Sequence, residues 1–416
     1  MSGADADRKA FYREARTDLT GPLDGVRVIE VATTWAGPRC GALLADLGAD
    51  VIKVECPSAP DVARRLTPIL SQCVPPTSYV NAAVNRNKRN VAVELRRPEG
   101  RDIFLRLVQG ADIVVENMRP GTMAAWGCAY DDARAKKPAI IYVSISGFGQ
   151  FGPNRERPGY DPIAQAVSGV MWLNGEHDGS PLKSPIFLAD ELAALHGALS
   201  AVAALRHRDL HGEGQHIDVS LLDAMIASST GIPTLAAQGE PTPRWGNTFG
   251  FAAPSNAYCC RDGWVYAGAL LDSHWRKLAA VLGRPELATD ERYATLPARL
   301  ARRDELDEML GAWCRERTRS QVAAALAEAG LTAAAVLTPA EMVDDPHVRA
   351  RGTISSVRQS SGGEVQIEGP AAKLSRTPLG VRSPAPELGA HTTNVLDSLG
   401  IDRGRQQELR AAGVIA

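Results

Sequence analysis

What this chain lacks narrows its function early. It has seven cysteines, an odd number at irregular spacing (Cys40, Cys56, Cys73, Cys128, Cys259, Cys260 and Cys314), and no CxxC pair. Such cysteines are expected to be reduced thiols in a cytoplasmic protein, and a chain of 416 residues needs no disulfide or metal staple to fill a core. Charge of one sign is missing too: the net charge of −2 gives no support for a nucleic-acid partner. No apolar run approaches the ~20 residues of a membrane span, and the polar opening MSGADADRKAFYREARTDL is unlike a secretory signal. The turn after the first apolar strand has no GxGxxG, which argues against a dinucleotide. No histidine occurs before His177, so the first part of the chain offers no imidazole base.

What is present is an ordinary globular composition, 44% hydrophobic and 23% charged, at a length suited to two or three domains. Val26–Val31 has the pattern of a buried strand, Cys40–Leu47 of a helix stopped by Gly48, and Ala49–Val54 of a second strand. A strand–helix–strand unit of about thirty residues implies a parallel, doubly wound α/β sheet. Further strands are expected at Val91–Leu95, Ala111–Glu116, Ile140–Ser144 and His216–Ser220, with a helix from Pro98 to Gly110. Asn85–Asn90 (NRNKRN) is read as a basic loop, either solvated or contacting phosphate. From about residue 230 the texture changes to Gly, Pro and Thr, then to a hairpin turning at Asp262-Gly263, several helices and a strand at Ala333–Leu337. The expected domains are 1–227 (large, α/β), 228–345 (small, α+β with linkers) and 346–416 (returning to the large domain).

The organising stretch is Ile186 to Met225. A short apolar run, Ile186–Ala189, suggests a strand. Asp190 and Glu191 follow, and then a long alanine- and leucine-rich helix. Asp190 occupies the place of an N-cap, the commonest use of such a residue. It also lies where open α/β sheets bind ligands. There a carboxylate can attack an activated acyl group and hold it covalently.

Eight motifs then occur together. They are Pro22–Val28 (PLDGVRV), Ala36–Pro38 (AGP), Leu47–Glu55 (LGADVIKVE), Asn85–Arg89 (NRNKR), Asn117–Gly121 (NMRPG), Ser146–Gly149 (SGFG), Gly159–Asp161 (GYD) and Gly212–Asp218 (GEGQHID). In this order the chain resembles the class III coenzyme A transferase family. The resemblance implies a Rossmann-like large domain, a smaller domain and an interlocked homodimer of two threaded open rings. It implies acyl-CoA and a small carboxylic acid as substrates, CoA as cosubstrate, and no permanently bound cofactor or metal. Asp190 matches the family's catalytic position, where an aspartyl anhydride and then an aspartyl-CoA thioester form without ATP. By the same resemblance Trp35, Ala36, Arg86, Lys88, Arg89, Arg96, Asn117, Met118, Arg119, Ser146, Gly147, Phe148 and Gly149 are candidates for holding CoA. Tyr160, Trp245, Gly246 and Asn247 are candidates for the substrate side.

Two positions depart from the family pattern. Cys56 and Ala125 stand where relatives carry arginines that serve CoA. Two further readings stay open. A 2-methylacyl-CoA racemase would need an acid and a base about the α-carbon; Asp161 matches the acid, but Tyr160 replaces the neighbouring histidine. A non-catalytic subunit of a heteromeric transferase would explain the missing arginines but not the retained Asp190.

Overall fold

The computed structural model describes residues 3–71, 76–359 and 363–416; Cys73 lies outside them. The chain divides into two compact units. The first comprises Met1–Val170, Lys183–Pro233 and Pro346–Ala416, the second Met171–Leu182 and Thr234–Asp345.

The main sheet of the first unit has six strands among the described residues: β1 (Arg27–Val31), β2 (Asp50–Glu55), β3 (Lys88–Ala92), β4 (Ile113–Glu116), β5 (Ile141–Ser146) and β6 (His216–Ser220). All pair in parallel, in the spatial order β3-β2-β1-β4-β5-β6. Strands this apolar suit a sheet covered on both faces. On one face lie α1 (Ala36–Asp46) and, further along the chain, a long alanine-rich helix. The other face packs against α2 (Pro98–Gln109) and apolar residues from the end of the chain, among them Val395, Leu409 and Ile415. The order reverses between β1 and β4, and that switch point is where ligands enter sheets of this kind.

Three further helices frame the site: α3 (Asp161–Val167), α4 (Leu188–His211) and α5 (Leu221–Ala227). Ile186–Ala189 forms no strand, because α4 already begins at Leu188. By length and composition this 24-residue helix is apolar enough to cross a membrane, contrary to the reading of the run lengths. Its small side is instead buried against the sheet: Ala189, Ala193, Gly197 and Ala201 have little or no exposure. A Cβ on Gly197 would stand 3.2 Å from both Cys40 Sγ and Ile145 Cδ1, a tight contact that glycine spares.

Beneath α1 lies a buried ionic cluster. Glu30 accepts from Lys53 Nζ at 2.9 Å and pairs with Lys88 Nζ at 2.6 Å. Lys53 also reaches Asp61 at 2.9 Å. Burial and the Lys53 charge push Lys88 down to about 8, with Glu30 acting against them. Burial would lower Lys53 as well, but Asp61, Glu30 and Glu55 hold it above its ordinary value. Asp61 accepts from Thr33 Oγ1 and the Thr34 N–H, each at 2.8 Å, so the cluster fixes the turn after β1.

The second unit carries an antiparallel sheet of β7 (Ser255–Cys260), β8 (Gly263–Gly268) and β9 (Thr332–Ala335), in the order β9-β8-β7. Cys260 pairs with Gly263, so the hairpin turns at Arg261-Asp262, one residue earlier than the Asp-Gly pair suggested. Its core gathers Trp275, Tyr293, Leu310 and Leu326.

Candidate active site

At the switch point, the loops after β1, β4 and β5 enclose a cavity of about 260 Å³. Thr33, Thr34, Trp35 and Ala36 line it from the first loop, Asn117, Met118, Arg119 and Pro120 from the second, and Ser146 and Gly147 from the third. Arg155, Arg157 and Tyr160 close it from the segment before α3, Leu221 from α5, and Asp190 from the first turn of α4. Asp190 is the one carboxylate among these described lining residues.

The loops are tied to each other by polar contacts. The Asn117 side-chain amide pairs with the backbone of Thr33, accepting from its N–H and donating to its carbonyl, both at 2.8 Å. Thr34 holds a left-handed φ of 71°, a conformation costing a non-glycine residue of order 1 kcal/mol. Its N–H bond to Asp61 retains it there. The Met118 N–H donates to Glu116 Oε2 at 2.8 Å. Burial pushes Glu116 up to about 7, against the Ser144 hydroxyl and the Met118 N–H.

Asp190 is not the cap of its helix. Phe187 holds the N-cap position and has no side-chain acceptor. Asp161, the first residue of α3 and 3% exposed, supplies the missing acceptor from another element. Its Oδ1 accepts from the Ala189 N–H at 2.7 Å and its Oδ2 from Gln165 Nε2 at 2.7 Å. The orphan N–H groups of a helix start are satisfied in this way, and Asp190 is left free to face the cavity. Burial, and then the charges of Asp161 and Glu191, raise the Asp190 carboxyl to about 7. A carboxylate already fully ionised at neutral pH is therefore not what the fold provides. Glu191 turns away from the cavity: it accepts from Trp35 Nε1 at 2.8 Å and Arg39 Nε at 3.1 Å. Phe187 packs on the same Trp35 ring, with centroids 5.1 Å apart.

The structure places the other expected CoA contacts away from this cavity. Residues 88–92 form strand β3, so Lys88 and Arg89 lie on a strand and not in a basic loop. Arg86 has no accessible surface and is paired with Asp46 at 2.6 Å; Lys88 is equally hidden against Glu30. A fully buried, paired cation has no face to offer a phosphate. Arg89 is bound to Asp50, Nε to Oδ1 at 2.8 Å. Phe148 and Gly149 lie behind the cavity wall, which reaches only Ser146 and Gly147 of that motif. Arg96 lines a second cavity of about 260 Å³ with Val31, Glu55, Cys56, Leu95 and Trp126. Thr33 and Met118 line both cavities. Within the second, Arg96 Nη2 lies 3.3 Å from Cys56 Sγ, and the same guanidinium is ion-paired with Glu94, Nε to Oε1 at 2.7 Å. Trp245, Gly246 and Asn247 belong to the second unit, where Arg303 stacks 5.1 Å over the Trp245 ring and the Asn247 carbonyl accepts from Tyr266 Oη.

Sequence reasoning missed Thr33, Thr34, Arg155 and Arg157 as lining residues and Asp161 as the cap. The GYD motif was the available signal for Asp161. Cys40, Cys128 and Cys314 do not line the cavity, and burial pushes their thiols up to about 12.

The family model for CoA-transferase family III matches residues 23–392. The chain is 38% identical to succinyl-CoA–D-citramalate CoA-transferase of Chloroflexus aurantiacus, over 95% of this chain and 98% of that one. It is 36% identical to the beta subunit of succinyl-CoA–L-malate CoA-transferase of the same organism, over 96% and 99%. Among solved structures, a CAIB/BAIF family protein from Brucella suis matches with a TM-score of 0.83 at 36% identity, covering 91% of this chain and all of that one (100%).

Proposed function

This chain belongs to CoA-transferase family III, and we propose that it moves CoA from succinyl-CoA to a free carboxylic acid by covalent catalysis on Asp190. The observation that carries this reading is the position of Asp190 as the single carboxylate on the switch-point cavity. The second cavity shares Thr33 and Met118 with the first and offers Val31, Leu95 and Trp126 as apolar walls for the remainder of a long thioester, with Arg96, ion-paired to Glu94, among its polar residues.

In the proposed reaction an Asp190 oxygen attacks the thioester carbonyl carbon. The C–S bond breaks, and CoA leaves as the thiolate. The product is a mixed anhydride between Asp190 and the donor acid. The thiolate then attacks the aspartyl carbonyl, releasing the donor carboxylate and leaving an aspartyl-CoA thioester. An acceptor carboxylate attacks that thioester's carbonyl and expels CoA thiolate, giving a second mixed anhydride; the thiolate then attacks the acceptor carbonyl, which forms the acceptor's CoA thioester and releases Asp190 as the carboxylate. Each step exchanges one activated acyl bond for another, so no ATP is consumed. A carboxylate held at a raised pKa is also a stronger nucleophile once it has lost its proton.

The test is to incubate the protein with succinyl-CoA, trap with borohydride or hydroxylamine, and map the labelled peptide. Modification at Asp190 and a loss of turnover of at least roughly 10³-fold in Asp190→Ala are expected. Label at another residue, or an active Asp190→Ala enzyme, overturns the assignment.

We propose a homodimer as the working assembly. Leu195, Leu199 and Leu210 on α4 are 50%, 68% and 57% exposed, an apolar row that a second copy would cover.

A further inference from the structure

Trp35 lines the Asp190 cavity, yet its one polar group is engaged outside it, by the residue that follows the nucleophile. We infer that Glu191 is a positioning residue for the reaction: by accepting the indole N–H it sets the cavity wall formed by Trp35 relative to Asp190. This rests on the CoA-transfer reading above.

Asp190 and Glu191 are the third and fourth residues of α4. Neighbours on a helix point about 100° apart, so while Asp190 faces the cavity Glu191 is aimed to one side. On that side lies the head of α1, with Trp35 just before the helix and Arg39 four residues on. Each holds one carboxylate oxygen of Glu191. Trp35 Nε1 donates to Oε1 at 2.8 Å and Arg39 Nε to Oε2 at 3.1 Å. The Arg39 and Glu191 side chains are only 15% and 24% exposed, so these charge-assisted bonds are largely shielded from water. Arg39 also neutralises Glu191, so the acceptor for the indole stands beside the nucleophile with its charge paired.

The other contacts of the ring are apolar. Phe187 meets it with centroids 5.1 Å apart, and a small buried cluster of Ala63, Val80, Ala83 and Val84 packs against it. Such contacts have no preferred direction. An indole has a single donor and no acceptor, so its bond to Glu191 is the directional hold on the ring. Phe187 is the N-cap of α4 and Glu191 its fourth residue, so both come from the turn that carries Asp190. Wall and nucleophile are thereby built as one piece. An acyl group bonded to Asp190 occupies the cavity that Trp35 lines, and a misplacement of about 1 Å there can cost roughly 10²-fold in rate.

The experiment is a double-mutant cycle in the full chain: Glu191→Ala, Trp35→Phe and the two together. The rate measured is the exchange of labelled succinate into succinyl-CoA, for which the natural acceptor need not be known. Each single variant is expected to lose roughly 10- to 10²-fold. The double variant should lose no more than about twofold beyond the larger single loss, since Glu191 acts through the indole. The indole N–H resonance of Trp35, assigned by its absence in Trp35→Phe, should shift in Glu191→Ala, which a general loss of stability would not produce. Losses that multiply in the double variant overturn the inference, as does an indole resonance that stays in place. Should Glu191→Ala fail to fold, Glu191→Gln, which keeps an acceptor oxygen without the charge, enters the cycle with the same two criteria and a smaller loss. A wild type that exchanges no succinate overturns the CoA-transfer reading instead.

Discussion

A carboxyl group that titrates at about 7 is only half ionised at neutral pH. If Asp190 attacks as the anion, turnover should fall as pH drops below about 7, tending toward tenfold per pH unit. Burial is the first cause of the raised value and Asp161 the second. Replacing Asp161 by Asn keeps an oxygen for the Ala189 N–H but removes a like charge. The acid limb of the pH–kcat profile should then move to lower pH. A limb that stays in place would show that the neighbouring charge does not govern the nucleophile. This pairing also marks where sequence reading stopped. Asp190 stood out as an acid at the head of an alanine-rich helix and by resemblance to a known family, although the apolar run before it forms no strand. That Asp161 caps this helix depends on contact between residues 28 positions apart, which no local pattern encodes.

At the scale of elements, small residues decide which pieces can touch. Gly41, within α1, lies directly on Glu30: a Cβ there would stand 1.9 Å from Glu30 Oε2. Glu30 cannot swing aside, since Lys53 and Lys88 hold both of its oxygens from within the core. Gly41→Ala should therefore break a buried ion pair and cost about 3–5 kcal/mol, read as a lowered urea midpoint. Near-unchanged stability would mean that the cluster can rearrange. Strands β1, β2, β4 and β6 were legible to within a residue or two, because apolar runs bounded by glycine and polar turns leave few alternatives. Strand β3 was misjudged at its start. Its first residues, Lys88, Arg89 and Asn90, look like loop residues by type, yet Lys88 and Asn90 are buried partners of Glu30 and Glu55, and Arg89 pairs with Asp50 at a half-exposed site. A charged residue whose partner lies on the next strand is indistinguishable, by composition, from one in water.

For the whole molecule, the change of texture near residue 230 falls close to Thr234, where the main segment of the second unit begins. That residues 171–182 group with the second unit was not foreseeable, because nothing in their composition separates them from α3 before them or α4 after them. The number of copies is a property of this scale as well. Sedimentation velocity at micromolar concentration should give a dimer, and replacing Leu195 and Leu199 by Lys should shift it toward monomer. A wild-type monomer with full transferase activity would refute the proposed assembly.

The first unit is also completed late along the chain. Strand β3 is bordered by His391, whose N–H bonds Asn90, and by Val414, whose carbonyl takes the Glu94 N–H at 2.8 Å. Val414 and Ile415 are themselves core residues on that face. A ribosome making this protein must therefore finish the whole inserted unit before the strands begun at residue 27 can be sealed. Until then the face that Val395, Leu409, Val414 and Ile415 cover lacks part of its apolar lining.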